Sequence, residues 1–159
     1  MQQVWFITGS SRGFGRALVQ AVLDAGDLVV ATARRPGQLA EFTQQYGDRV
    51  LPLALDVTDE AAVRDAVSAA VERFGRLDVV NNAGYANVAP IETGDEEDFR
   101  TQFETNFWGF NNGLSRRCSV PSEACPTSAS YVLATSRATL RPARFGKRNR
   151  SRRGSPNST

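Results

Sequence analysis

Histidine is absent from this sequence of 159 residues, and cysteine occurs only as Cys118 and Cys125. Without histidine, the chain cannot hold a serine–histidine–aspartate triad or a zinc site with imidazole ligands. Two thiolates alone do not complete a structural zinc site, so we predict no metal. No apolar run approaches the roughly 20 residues of a membrane-spanning helix. The start of the chain also lacks a basic and apolar leader, so we expect a cytoplasmic protein without a membrane address.

Acidic residues are scarce in the last part of the chain. Residues 1–113 contain 9 arginines and 16 acidic residues, whereas residues 114–159 contain 9 arginines, one lysine and one glutamate. The net charges are therefore −7 and +9, which the total of +2 conceals. We predict a folded domain over residues 1–113. Residues 114–159 are rich in Arg, Ser and Pro without a sustained hydrophobic period, and we predict a disordered, basic, low-complexity tail.

Four apolar runs in the first segment are typical of strands buried on both faces of a parallel sheet. They cover residues 4–7, 28–31, 50–53 and 77–80. A segment with helical periodicity follows each run, which predicts an incomplete, Rossmann-like, doubly wound α/β sheet of about four strands and four helices.

Capping signals set the limits of these helices. Gly26 and Gly75 are predicted C-terminal stops, and Thr58 is a predicted N-cap. The acidic segment 95–98 is favourable at the start of the fourth helix, which we predict to run to about Gly109.

A glycine-rich loop connects the first strand to the first helix, where residues 8–15 read Thr-Gly-Ser-Ser-Arg-Gly-Phe-Gly. Such a loop lets backbone N–H groups approach a pyrophosphate at the positive end of the helix. Glycines also serve ordinary turns, but the strand before and the helix after favour a nucleotide site.

The spacing Gly-x-x-x-Gly-x-Gly resembles that of the short-chain dehydrogenase/reductase family. Asp56-Val57 resembles the family's adenine-contacting pair, and Asn81-Asn82-Ala83-Gly84 matches its loop after the fourth strand. Asn106 falls on the family's catalytic asparagine. Taken singly, the aspartate and the two asparagines of these motifs are also ordinary turn and loop formers. The resemblance covers residues 1 to about 109 and implies cofactor contacts from Gly9, Ser11, Gly13, Phe14, Gly15, Asp56, Val57, Asn82, Ala83 and Gly84.

The end of the second strand indicates the choice of cofactor. A carboxylate there would accept the ribose hydroxyls of NAD, but the sequence has Ala-Thr-Ala-Arg-Arg over residues 31–35. Arg34 or Arg35, helped by Arg12, can pair with a 2′-phosphate. We therefore predict NADP(H) rather than NAD(H), with solvated surface arginines as the alternative interpretation.

The proton-transfer residues of the family are missing. The resemblance implies a serine and a Tyr-x-x-x-Lys pair, but Tyr131 is followed four places later by Thr135, and Lys147 is preceded by Ala143. Of the catalytic set, only Asn106 is carried over. We therefore predict an oxidoreductase for a small carbonyl or alcohol substrate that is truncated and catalytically inactive in this chain.

Back-translation suggests a cause for the change at residue 113. Read from the third base of the Asn112 codon, residues 112–120 permit the run Arg-Ala-Val-Leu-Pro-x-Leu-Arg, which resembles family members at this place. The hypothesis is a frameshift near residues 111–113.

Two other classes of function are alternatives: a non-catalytic, regulatory dinucleotide-binding protein, and a protein that binds nucleic acid through its basic tail. The tail has only Tyr131 and Phe145 for base stacking, which disfavours nucleic acid. With a strand order 3-2-1-4, the fourth strand is an open edge, for which residues 131–134 are the candidate cover. We therefore also expect self-association.

Overall fold

The run Val4–Ile7 forms the central strand of a parallel sheet in the computed structural model, which describes residues 2–117 and 131–132. The strands are β1 (Val4–Ile7), β2 (Leu28–Ala33), β3 (Val50–Ala54), β4 (Asp78–Asn81) and β5 (Tyr131–Val132). They are arranged in the order β3-β2-β1-β4-β5, and every neighbouring pair is parallel. The predicted order of the first four strands is confirmed.

The helices lie between the strands along the chain. They are α1 (Gly13–Asp24), α2 (Ala40–Tyr46), α3 (Glu60–Phe74), α4 (Glu96–Phe103) and α5 (Gly109–Arg117). Short 3₁₀ turns, Pro36–Leu39 and Gly47–Arg49, flank α2, and a π-helical turn, Glu104–Trp108, joins α4 to α5. None of the helices within residues 2–117 is long and apolar enough to cross a membrane.

Alternation along the strands builds a hydrophobic core on each face of the sheet. In β1, Phe6 packs in the cluster that α3 covers, and Ile7 packs in the cluster that α1 and α2 cover. This two-faced burial explains why β1 is continuously apolar. The chain therefore has the doubly wound α/β architecture that the sequence predicts.

The edge of the sheet beside β4 differs from the expectation. β5 pairs with β4 through Val80↔Tyr131 and Asn81↔Val132. The edge that we expected to be open is therefore partly covered. Residues 133–134 of the predicted cover lie outside the described residues, as does the rest of the predicted disordered tail apart from residues 114–117 and 131–132.

Two predicted helix limits are wrong. Asp59, rather than Thr58, caps α3, because its carboxylate accepts a hydrogen bond from Ala62 N at 3.0 Å. The helical segment that begins at Glu96 continues through the π turn to Arg117 instead of ending near Gly109. Gly109 does not stop the helix, because its backbone keeps the helical angles φ −59° and ψ −38°. Its lack of a side chain serves close packing instead, since a Cβ there would lie 2.5 Å from Val57 Cγ2.

Candidate functional site

The candidate site lies where the strand order reverses, at the carboxyl ends of β1 and β4. The chain leaves β1 toward α1 on one face of the sheet, whereas α5, which follows β4, packs against α3 and Val57 on the other face, so the two loops diverge and open a crevice. Ligands of open α/β sheets bind in such crevices. The predicted glycine loop and the predicted Asn-Asn-Ala-Gly loop are therefore neighbours.

The glycine loop has the geometry of an anion cradle. Gly9 and Gly13 have φ angles of 69° and 58°, a region that side chains rarely allow. A Cβ at Gly15 would overlap the carbonyl oxygen of Gly9 and Nδ2 of Asn82. The N-terminus of α1 has no side-chain cap and no acidic residue in its first turn. Its free N–H groups and the positive end of its dipole therefore remain available to an anion.

A buried threonine fixes the glycine loop to the end of β4. Thr8 Oγ1 accepts hydrogen bonds from the backbone N–H groups of Asn82 and Ala83, each at 2.9 Å. The Asn82 side chain donates from Nδ2 to Thr8 O at 3.0 Å and to Gly9 O at 3.3 Å. Asn82 was predicted to contact the cofactor, and within the protein its amide holds the loop. Sequence reasoning missed Thr8, although its position directly before Gly9 was a usable signal.

A second buried hydroxyl fixes the other side of the loop to β2. Ser10 Oγ donates to Ile7 O at 2.7 Å and accepts from Thr32 N at 3.3 Å. Ser10 N donates in turn to Thr32 O at 2.8 Å. In the same loop Ser11 is half-buried, and Phe14 is 40% exposed.

Three predicted arginines lie at the rim of the crevice. Arg34 and Arg35 follow β2 directly, Arg12 precedes α1, and all three are exposed. Within residues 2–117 none of them forms an ion pair, whereas the neighbouring Arg16 pairs with Glu41. Because their charges are not neutralised by carboxylates of the described residues, these guanidinium groups can interact with an external anion.

The Asp56-Val57 segment forms a turn after β3. Asp56 Oδ1 accepts hydrogen bonds from Thr58 N at 3.0 Å and from Thr58 Oγ1 at 2.8 Å. Asp56 is exposed and Val57 is buried. The aspartate therefore acts as a turn residue, as the alternative interpretation of its motif predicts. It is nevertheless exposed to solvent.

The asparagine of the fourth helical segment holds the loop that follows β4. Asn106 lies in the π turn, where its Nδ2 donates to Tyr85 O at 2.7 Å and its Oδ1 accepts from Tyr85 N at 3.0 Å. A Cβ at Gly84 would lie 2.9 Å from Asn106 Oδ1, so glycine is required for this approach. π turns are frequent at functional sites, and no periodicity in the sequence predicts this one.

Acid–base groups are sparse around this crevice. Within residues 2–117 there is no lysine, and no group of at least three His, Cys, Asp or Glu side chains could hold a metal. Tyr46, on the opposite side of α1, donates a hydrogen bond to Asp24, and this contact raises the pKa of Tyr46. The described residues therefore include no tyrosine–lysine pair of the kind that the resemblance implies.

The sequence of this chain is similar to those of known dehydrogenases and oxidoreductases. Residues 3–118 match the short chain dehydrogenase family model. The chain is 54% identical to "Oxidoreductase BOA17" of Botryotinia fuckeliana, over 69% of this chain and 40% of that protein. It is 38% identical to a "Probable NADP-dependent dehydrogenase" of Haemophilus influenzae, over 65% of this chain and 42% of that protein.

A solved structure shares the described fold. The 3-ketoacyl-(acyl-carrier-protein) reductase of Brucella melitensis complexed with NADH superposes with a TM-score of 0.68 at 31% identity, over 72% of this chain and 48% of that one. The chain spans about two fifths of the length of the curated relatives that it matches.

Proposed function

Because this chain belongs to the short-chain dehydrogenase family, whose members bind nicotinamide dinucleotides, we propose that it binds NADP(H) through residues 9–113 and does not turn over a substrate. The glycine cradle in front of the uncapped helix α1 carries this proposal. A Cβ at Gly15 would overlap Gly9 O and Asn82 Nδ2, which is the close packing between helix and strand that a glycine provides in dinucleotide-binding loops.

Each part of the dinucleotide has a proposed place. The pyrophosphate faces Gly9, Ser11, Gly13, Phe14 and Gly15, whose loop is held by Thr8 and Ser10. The adenine lies beside Asp56 and Val57 at the end of β3. Ala83 and Gly84, after β4, lie toward the nicotinamide side, where Asn106 holds their loop.

Two exposed arginines at the end of β2, which form no ion pair within residues 2–117, favour NADP(H) over NAD(H). Arg34 and Arg35 stand where a carboxylate would accept the ribose hydroxyls of NAD, and they attract a 2′-phosphate instead. Arg12 supplies a third positive charge at the same rim. The Haemophilus relative carries the word NADP in its name, whereas the Brucella structure contains NADH, so the family alone does not decide between the two cofactors.

Catalysis needs groups that this sequence does not supply. When bound, the nicotinamide supplies the hydride for interconversion of a carbonyl and an alcohol. Proton transfer from a positioned side chain contributes roughly 10² to 10⁴ in rate, and the sequence contains no Tyr-x-x-x-Lys. Asn106 is the one member of the catalytic set present, and both ends of its amide already bond to Tyr85.

The change in composition after Gly113 fits the frameshift hypothesis. If it is correct, the genomic DNA read in the shifted frame encodes a serine and a Tyr-x-x-x-Lys. Sequencing the gene across this point decides it, because stop codons or an unrelated shifted frame would contradict the hypothesis. A cytoplasmic location and self-association stay predictions of the sequence.

Equilibrium dialysis and a turnover assay on the full chain test the proposed function. We expect retention of NADPH without its oxidation by a panel of small aldehydes and ketones, and a full-length family member serves as the active control. Oxidation of NADPH at a rate comparable to that control would contradict the proposed inactivity. Absence of NADPH retention would contradict the proposed binding.

A further inference from the structure

Helix α5 contacts the turn that we propose for adenine binding. Asn112 Nδ2 donates a hydrogen bond to Val57 O at 3.1 Å, across 55 positions of sequence. Gly109, one helical turn earlier, lets the helix lie directly against Val57, because a Cβ there would be 2.5 Å from Val57 Cγ2 and 3.4 Å from Val57 O. The site predicted from the sequence includes Val57 but neither Gly109 nor Asn112.

This contact completes the support of a short turn. On one side, the Asp56 carboxylate is fixed by the backbone and hydroxyl of Thr58. On the other side, the Val57 side chain is 7% exposed, and its carbonyl is fixed by Asn112. A peptide held at its carbonyl has a fixed orientation, so the neighbouring backbone and the Asp56 carboxylate face the crevice in one arrangement.

We propose that Asn112 is a positioning residue for the adenine end of the dinucleotide site. Resting on the proposed function, this inference adds that α5 sets the orientation of the Asp56-Val57 turn without touching the ligand. Loss of the hydrogen bond lets the Val57 peptide rotate, and the adenine then loses its ordered contacts. The glycine loop is held instead by the hydrogen bonds of Thr8 and Ser10.

Asn112→Asp tests this inference with a nearly isosteric change that removes the donor and sets a carboxylate against Val57 O. Asn111→Asp is the matched control, since Asn111 is exposed and the same charge is added one residue away. Calorimetry on the full chain should show NADPH binding weakened about threefold to tenfold in Asn112→Asp, the effect of one hydrogen bond. Binding by Asn111→Asp should stay within about twofold of the parent.

A second probe separates positioning from general loss of structure. Inorganic pyrophosphate, titrated against the amide resonances of residues 9–15, should bind Asn112→Asp as it binds the parent. Equal NADPH affinity in the two variants, or an equal loss of pyrophosphate binding, would overturn the inference. If Asn112→Asp does not fold, Asn112→Ala with Asn111→Ala as its control carries the same test. If the parent binds pyrophosphate but no NADPH, the proposed function itself fails, and the positioning role fails with it.

Discussion

The two ends of the candidate crevice are built to different degrees. The proposed adenosine end, comprising the glycine loop, the arginines after β2 and the Asp56-Val57 turn, is held by buried hydroxyls and by a helix on each face of the sheet. The proposed substrate end, comprising residues 83–85 and Asn106, rests on α4 and the π turn. Neither α4 nor the π turn contains a buried residue, and Phe103 and Phe107 are 58% and 49% exposed.

This difference is the basis for proposing that dinucleotide binding and substrate reduction depend on separable parts of the fold. The residues whose contacts hold the adenosine end lie within the range 8–112, all of it inside the described fold. The substrate end needs proton-transfer groups that the sequence lacks. The proposal of binding without turnover rests on this asymmetry.

The largest effect is expected where the adenosine end leaves no space. Gly15→Ala forces a Cβ into the carbonyl of Gly9 and the amide of Asn82. Overpacking of this kind costs roughly 1–3 kcal/mol, which lowers Tm on the order of 5–15 °C, and NADPH binding should be lost. Gly37→Ala is the control, because no atom lies within 4 Å of its Cβ. Equal melting curves and equal NADPH affinity in the two variants would show that the loop is not a tight cradle.

The next effect concerns the choice of cofactor at the same end. Arg34→Gln combined with Arg35→Gln should weaken NADPH binding roughly tenfold to a hundredfold by removing charged hydrogen bonds. NADH binding should change by less than about threefold. Arg64→Gln with Arg73→Gln removes the same charge from exposed ion pairs on α3 and controls for net charge. An unchanged ratio of the two affinities would assign Arg34 and Arg35 to solvated surface.

A smaller effect is expected at the substrate end. Asn106→Ala removes both hydrogen bonds to Tyr85 and should lower the free energy of unfolding by about 1–2 kcal/mol. NADPH affinity should stay within about twofold, because the adenosine contacts are elsewhere. Chemical denaturation measures the free energy of unfolding, and calorimetry measures the NADPH affinity. A tenfold loss of NADPH affinity would show that the two ends of the crevice are not separable.

The smallest effect is a pH dependence at the contact between α1 and α2, where Tyr46 donates a hydrogen bond to Asp24. Asp24 raises the pKa of Tyr46 above its ordinary value of 10.0. The folded state therefore holds the phenol proton more tightly, so the related stability is complete below pH 10 and is lost as pH rises through the folded pKa. Tyr46→Phe should flatten this alkaline decline in Tm, whereas Tyr85→Phe should retain it. Parallel alkaline curves for parent and Tyr46→Phe would contradict the pKa shift.

The sequence predicts the adenosine end better than the substrate end for physical reasons. The apolar runs of β1 to β4 and the glycines after α1 and α3 are local signals, and the structure confirms them, with Gly26 and Gly75 at positive φ. The cap of α3 was misplaced by one residue because Thr58 and Asp59 are both good N-caps, and the Thr58 hydroxyl is used by Asp56.

Long-range contacts were not visible in local patterns. The hydrogen bond of Asn112 to Val57 joins residues 55 positions apart. In the sequence alone, Gly109 resembles a helix stop, and its close packing against Val57 is visible only in the fold. The glycine loop depends equally on Thr8, which bonds to the backbone 75 positions away. A motif predicts which residues face a ligand, but the residues that hold the motif in place come from the tertiary fold.

Calorimetric titration of the full 159-residue chain with NADPH and with NADH tests the central claim most directly. A complete adenosine end predicts saturable binding of one NADPH per chain, roughly tenfold tighter than that of NADH, because only NADPH carries the 2′-phosphate for the arginines at the end of β2. Absence of saturable heat with NADPH would contradict the claim that this end of the site is functional. Equal affinity for the two cofactors would contradict its assignment to NADP(H).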